Sequence, residues 1–244
     1  MPQSSKQELN WAGVYKLGGV AILVTVLVGI IESAIQFLPV SNIPQDTVID
    51  WFVLFQEHPF MGLRNMGLLN IFLNTLALFT YFALYAVHRE NSNQPYAALA
   101  MVIAFLGIGV FLANNRAFPM LDLSNQYAAA TTDTQRAMLE AAGQSMLTIG
   151  QSHTPGTFLG FFLSEVAGII ISVVMLRSHI FSKVNAYAGI LGFSILLVIE
   201  YFSTFSGLSD AMMMLFMLGG LLSMVWYILI AVRLFQFARN ASVR

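Results

Sequence analysis

Charged side chains inside long apolar runs are the feature of this chain that could do chemistry. Three carboxylates and two guanidinium groups occupy such positions, namely Glu32, Glu165, Glu200, Arg64 and Arg116. A charge in hydrocarbon is costly, so it normally faces a partner or a water-filled cavity. With a rise of about 1.5 Å per helical residue, all five lie at a similar depth, toward the same side of a membrane. The pattern predicts either a polar ligand site or structural ion pairs such as Glu32–Arg64 and Glu165–Arg116.

Asparagines accompany these charges on two predicted helices. Asn70 and Asn74 are one turn apart, and Asn114 and Asn115 directly precede Arg116. Amide groups orient ligands, or they join helices through hydrogen bonds worth about 0.6–2 kcal/mol each. We expect the arginines to neutralise an anionic group and the glutamates to tune charge or protons. The predicted ligand-binding set is Glu32, Arg64, Asn70, Asn74, Asn114, Asn115, Arg116, Glu165 and Glu200.

Histidines offer a second chemistry. His58 and His153, together with the three glutamates, could form a zinc or iron site, because imidazole and carboxylate suit these metals. No HExxH or ExxH pair fixes two ligands on one helical turn, so no metal site is predicted and these two histidines are secondary candidates.

Paired histidines at the two membrane faces could instead hold two haems. However, His88 adjoins Arg89 and His179 follows Arg177, as is typical of basic helix ends. No cofactor is therefore predicted. The chain also lacks a nucleophile elbow, a phosphate loop and a dinucleotide turn, which leaves enzyme activity uncertain and disfavoured.

The composition places these residues in a membrane. Of 244 residues, 57% are hydrophobic and 9% are charged, whereas soluble domains have roughly 25% charged residues. A net charge of -1 without a basic run argues against a nucleic-acid partner. The absence of cysteine excludes disulfides and thiolate metal sites within the chain. The sequence predicts one all-α transmembrane domain over residues 1–244.

Six segments are long enough to span a bilayer, which takes about 20 apolar residues. They lie near 13–38, 63–87, 97–118, 156–177, 185–206 and 211–236. The first is interpreted as a retained helix and not a signal peptide. In the connection 39–62, Asp46 is expected to cap a short interfacial helix. In the connection 119–155, Thr132 and Gln135 resemble a capping box, and Gly143 is expected to end the helix that follows.

The distribution of Lys and Arg predicts the orientation. With the N-terminus inside, the inner set is Lys6, Lys16, Arg89, Arg177, Lys183, Arg233, Arg239 and Arg244, and the outer set is Arg64, Arg116 and Arg136. Eight against three predicts cytoplasmic N- and C-termini.

Small residues recur every fourth position in the fourth predicted helix. They are Gly156, Gly160, Ser164, Gly168 and Ser172. Such a stripe lets neighbouring backbones approach closely, and it is a candidate surface for a helix–helix partner.

Three segments carry a resemblance to a known family. These are NQYAAATTDTQRAMLEAAGQSML, GTFLGFFLSEVAGIIISVVMLRS and AYAGILGFSILLVIEY. Across most of the chain from about Trp51, the sequence resembles a family of small bacterial six-helix membrane proteins of unknown function. The resemblance implies a bacterial cytoplasmic membrane, but no activity, cofactor or catalytic residue.

The function predicted is binding of a small or amphipathic ligand in an outward-facing polar cavity between helices. Three alternatives stay open: a proton-coupled small-molecule transporter, a structural or assembly subunit of a membrane complex, and a membrane metalloenzyme.

Overall fold

The computed structural model describes residues 11–35, 43, 45–207 and 209–241. In these ranges the chain forms ten α-helices and no strand: α1 (Trp11–Ile35), α2 (Val48–Glu57), α3 (Pro59–Asn65), α4 (Leu68–His88), α5 (Gln94–Asn114), α6 (Ala117–Ala129), α7 (Asp133–Gly150), α8 (Pro155–Ser178), α9 (Lys183–Phe205) and α10 (Asp210–Ala241). Six segments are long and apolar enough to cross a membrane, and they contain α1, α4, α5, α8, α9 and α10 respectively. The predicted all-α polytopic fold is confirmed.

The six long helices form a ring in chain order. Each packs chiefly against its two neighbours in sequence, and α10 closes the ring against α1. Short turns join α4 to α5 and α8 to α9 at one end, which we call the short-loop end. The opposite, long-loop end carries α2, α3, α6 and α7. Residues 36–38 of the first predicted helix lie outside the described residues, as do Lys6 and Arg244.

The small-residue stripe of α8 packs against the neighbouring helices of this ring. A Cβ at Gly160 would lie 3.1 Å from the Cβ of Phe111 on α5, and a Cβ at Gly168 would meet the ring of Phe193 on α9. Ser172 is buried and contacts Gly189 of α9. The stripe therefore brings α8 close to helices of its own chain.

The short helices at the long-loop end begin at capping residues. The capping box of Thr132 and Gln135 at the start of α7 is confirmed. For α2 the cap is Thr47 and not Asp46, because Thr47 is the residue whose Oγ1 accepts a hydrogen bond from the Asp50 backbone N–H at 3.2 Å. The expectation that Gly143 ends its helix is wrong, since α7 continues to Gly150.

Gly143 has a packing role instead. A Cβ at this position would lie 2.9 Å from the Phe52 ring of α2, so the absence of a side chain lets α7 approach α2. Buried apolar residues from α2, α6 and α7 complete a small core here, separate from the core of the ring. The described residues of the connections predicted as 39–62 and 119–155 thus build a packed cap at the long-loop end.

Two predicted spanning helices have different bounds because the backbone breaks near their ends. The segment expected from 63 is interrupted after α3 by Gly67, whose φ of 96° suits glycine and disfavours other residues. The segment expected to reach 118 ends at Asn114, and α6 begins at Ala117.

The ring is tightly packed at its short-loop half and less so at the other. Buried residues of α1 lie between Tyr15 and Ile22, and those of α4 lie from Thr80 onward. In α10 the buried large side chains begin at Trp226. Apart from their own helix backbone and chain neighbours, neither Gly29 of α1 nor Gly220 of α10 has an atom of the described residues within 4 Å of the position a Cβ would take. At the long-loop half, α1, α4 and α10 therefore bury fewer side chains than at the short-loop half.

Candidate functional site

A histidine–glutamate pair lies at the long-loop half of the ring. Glu200 is on α9 and its side chain is 4% exposed, whereas His153 precedes α8 and its side chain is 44% exposed. The Nδ1–H of His153 donates to Oε2 of Glu200 at 2.7 Å, and the hydroxyl of Thr204 donates to Oε1 at 3.3 Å. A carboxylate on Nδ1 fixes the ring orientation and leaves Nε2 available to a ligand or a proton.

The backbone and two aromatic rings hold His153 in this position. Its φ is 59°, in the left-handed region that non-glycine residues rarely adopt. The imidazole stacks on Phe161 of α8, with centroids 5.3 Å apart and planes 14° apart, and it meets the edge of Phe216 of α10. The pair therefore connects α8, α9 and α10.

Glu165 lies deeper, in the middle of α8. Its Oε2 is shielded from solvent and has no hydrogen-bond partner in the described part of the chain. It interacts electrostatically with Glu200 of α9 and with two tyrosines, Tyr81 of α4 and Tyr227 of α10. Because these groups come from three other helices of the ring, the Glu165 carboxyl belongs to the polar interior. We call Glu165, Glu200, His153, Tyr81 and Tyr227 the interior cluster.

The Glu32–Arg64 pair predicted from sequence is formed. Arg64 of α3 has a side chain only 3% exposed, and its Nη2 and Nε lie 2.6 and 3.2 Å from Oε1 and Oε2 of Glu32. Nη1 donates to Asn65 Oδ1 at 2.8 Å. With its donors engaged in this way, Arg64 ties the end of α1 to α3 and is not an open anion site.

The Glu165–Arg116 pair is not formed among the described residues. Arg116 Nη1 donates to the carbonyl oxygens of Ala113 and Asn115 at 2.7 and 3.1 Å. A cation at these carbonyls satisfies the C-terminal end of α5, where acceptors lack helical partners. The physical reason for the different pairing is that the break after Asn114 turns Arg116 back on its own helix end.

Three of the four asparagines use their side chains to satisfy backbone groups. Asn114 Nδ2 donates to Gly156 O at 2.6 Å, which joins α5 to the start of α8. Asn115 Nδ2 donates to Gly67 O at 3.3 Å and its Oδ1 accepts from Ala117 N–H. Asn74 Nδ2 donates to the carbonyl of Asn70 at 2.8 Å within α4. Asn70 and Asn74 lie half-buried in the half of α4 that is less tightly packed.

The histidine alternatives receive no geometric support. In the described ranges, no group of three or more His, Cys, Asp or Glu side chains is placed to hold a metal ion. His88 is fully buried, with Nδ1 2.7 Å from Leu84 O and Nε2 3.1 Å from Ser178 Oγ, so both ring nitrogens are engaged.

Sequence reasoning placed Glu165 and Glu200 in the site but missed the role of His153. No local pattern links it to Glu200, which is 47 residues away in sequence. Tyr81 and Tyr227 did carry a signal, because each continues the spacing of small or polar residues along one face of its helix.

Comparison with protein-family models, with curated proteins and with solved structures returned no match for this chain.

Proposed function

We propose that this integral membrane protein binds a small or amphipathic ligand in the polar interior of its long-loop half, with Glu165 as the anchoring group. The observation that carries the proposal is the shielded Glu165 Oε2, which has no hydrogen-bond partner in the described part of the chain although the carboxyl interacts electrostatically with Glu200, Tyr81 and Tyr227. A buried polar atom without a partner costs free energy unless a ligand or water satisfies it.

The charges favour a cationic or donor-rich ligand head over an anionic one. Arg64 and Arg116 are engaged by Glu32 and by backbone carbonyls, so they offer little to an anion. Glu165 and Glu200 instead supply two carboxyl groups. An apolar tail would contact the same half of α10, where Met213, Met214 and Met217 are exposed and where methionine adapts to varied shapes.

Titration with rhodamine 6G, a fluorescent amphipathic cation, tests this proposal in lipid nanodiscs. Glu165→Gln keeps the side-chain volume and removes the ionisable carboxyl group, and Glu57→Gln makes the same change at an exposed residue of α2. We expect binding by the wild type and by Glu57→Gln, and about tenfold weaker binding by Glu165→Gln. Equal affinity of all three proteins, or native mass spectra that show neither dye nor a co-purified small molecule on the wild type, would contradict the proposal.

Proton-coupled transport is the second candidate, and the His153–Glu200 pair favours it. The partly exposed imidazole of His153 contacts the buried Glu200, and Glu165 lies deeper in the helix bundle. The three ionisable groups thus follow one another from the long-loop end inward. Intramembrane carboxylates and histidines in series are typical of proton relays. In proteoliposomes, uptake of rhodamine 6G that follows an imposed pH gradient and disappears in His153→Gln would favour transport, whereas uptake insensitive to the gradient would leave binding alone.

We infer in addition that the short-loop end faces the cytoplasm of a bacterial cell. The excess of Lys and Arg in and near the short loops supports this orientation. The family resemblance supports the bacterial inner membrane as the location.

A further inference from the structure

A cavity lies at the short-loop end, at the opposite end of the helices from the interior cluster. It has a volume of about 420 Å³ and is bounded by the α8–α9 turn, the start of α9 and one face of α10. Its polar lining comes from His179, Ser182, Asn185, Arg233 and Gln236. No carboxylate lines it, so a negatively charged group would meet no repulsion from its walls.

Asn185 shows that this cavity is more than a surface groove. The residue is 1% exposed, and its Oδ1 is buried without a hydrogen-bond partner in the described part of the chain. Its backbone N–H is satisfied by Ser182 Oγ at 3.2 Å, so the side-chain oxygen is the group left open. A hydroxyl or amine of a ligand in the cavity would supply the missing donor.

Arg233, which lines the same cavity, is held in place by several contacts. Its Nε donates to Ile180 O at 3.1 Å, its Nη1 donates to Gln236 Oε1 at 2.9 Å, and the guanidinium lies 4.7 Å from the Phe237 ring centroid. Nη2 has no hydrogen-bond partner among the described residues. A guanidinium fixed in this way is suited to a phosphate, which it binds through charge-assisted hydrogen bonds.

The surroundings indicate where the phosphate comes from. Leu229 and Val232 line the cavity from α10, and Val232 is 52% exposed on the face that would contact lipid. The short-loop end is also basic: its described charges are Lys16, Arg89, Arg177, Lys183, Arg233 and Arg239 against Glu90. A basic pocket between spanning helices at the membrane edge is a typical site for an anionic lipid headgroup.

We propose that this cavity binds the headgroup of an anionic glycerophospholipid in the leaflet at the short-loop end. The phosphate contacts Arg233, and a hydroxyl of the headgroup donates to Asn185 Oδ1. The acyl chains follow the apolar face of α10 beside Val232. This site is independent of the function proposed above.

Native mass spectrometry of the full chain, released from micelles with equal phosphatidylglycerol and phosphatidylcholine, tests the proposal. We expect the wild type to prefer phosphatidylglycerol, Arg233→Gln to lose about tenfold in retention of this lipid, and Arg239→Gln to match the wild type. Arg239 is the matched control because it is a basic residue of the same helix that does not line the cavity. Equal losses in the two variants would overturn the proposal, since net charge alone would then explain the preference.

Substitutions at Val232 provide a second test of the same site if Arg233→Gln does not fold. Val232→Glu places a negative charge at the rim of the cavity without removing a buried contact, and Val232→Gln is its neutral control. Loss of phosphatidylglycerol in Val232→Glu alone supports the site, and retention in both variants overturns it. Addition of glycerol 3-phosphate separates lipid from soluble phosphate ester: displacement of the lipid at millimolar concentration would overturn the lipid assignment.

Discussion

At the scale of single residues, the polar groups of this membrane protein divide by whether they have partners. Glu32 and Arg64 neutralise one another in a two-pronged contact, and Glu200 is bonded to His153 and Thr204. Glu165 differs, because its shielded oxygen has none in the described chain. Removing a carboxylate from a buried ion pair destabilises a fold, whereas a buried carboxyl group without a partner itself lowers stability.

This difference predicts that two matched substitutions change stability differently. Glu32→Gln leaves Arg64 buried beside a neutral group and should lower the free energy of unfolding by about 1–3 kcal/mol, a range reduced because Glu32 is 32% exposed. Glu165→Gln removes no hydrogen bond to Oε2 and should leave stability unchanged or higher. Thermal unfolding in one detergent at pH 8 compares them. A loss in Glu165→Gln as large as that in Glu32→Gln would show that Glu165 has a structural partner.

The same residues show what sequence reasoning reaches at this scale. The membrane depths estimated from the sequence correctly indicated a Glu32–Arg64 pair, because each residue lies near the end of its helix on the same side of the membrane. The same estimate failed for Arg116 because the backbone turns at Asn115, and side-chain direction after such a turn is not a property of spacing. Spacing made His153 only a secondary candidate for a metal ligand, because its contact with Glu200 depends on a turn geometry that no local pattern encodes.

At the scale of elements, the positions of the spanning helices were predictable from sequence, whereas some helix breaks and helix ends were not. The apolar runs gave all six spanning helices, and Thr132 with Gln135 gave the start of α7. The break at Gly67 and the passage of α7 beyond Gly143 depend on tertiary contacts instead. Glycine permits a break, a close approach or neither, so its identity alone does not predict which one occurs.

The capping box of α2 leads to a pH prediction for that element. Hydrogen bonds from the Thr47 side chain and backbone hold the pKa of Asp50 below its usual value of 3.8. Because the pKa is lower in the folded chain, the stabilisation is fully present above the unfolded pKa and is lost as the pH falls through the folded pKa. The start of α2 should therefore loosen below about pH 4. Emission of the buried Trp51, obtained by subtracting the spectrum of Trp51→Phe, should shift to the red on acidification.

Asp50→Asn is the control for this prediction. Its emission should already be displaced at pH 6, and it should change little between pH 6 and pH 3. A Trp51 signal that responds to acid equally in the wild type and in Asp50→Asn would assign the transition to other carboxylates.

At the scale of the whole molecule, the ring has two unlike ends. The long-loop end carries the packed cap of α2, α3, α6 and α7, the less tightly packed half of the ring and the interior cluster. The short-loop end is basic and tightly packed, and it contains the cavity that Arg233 lines. Each proposed ligand thus matches the charge of its own end: carboxyl groups face a cationic head, and a guanidinium faces a phosphate. Composition alone predicted a membrane protein. The difference in charge between the two candidate sites became visible only in the tertiary structure.

The orientation of these two ends is open to direct measurement because the chain contains no cysteine. Ser92→Cys labels the exposed α4–α5 turn, and Thr134→Cys labels the exposed start of α7. In intact cells of a bacterial host, a membrane-impermeant maleimide should modify Thr134→Cys and reach Ser92→Cys only after lysis, because basic loops are retained in the cytoplasm. The reverse result would turn the interior cluster toward the cytoplasm. A ligand of that cluster would then come from inside the cell, and the phospholipid at Arg233 would belong to the outer leaflet.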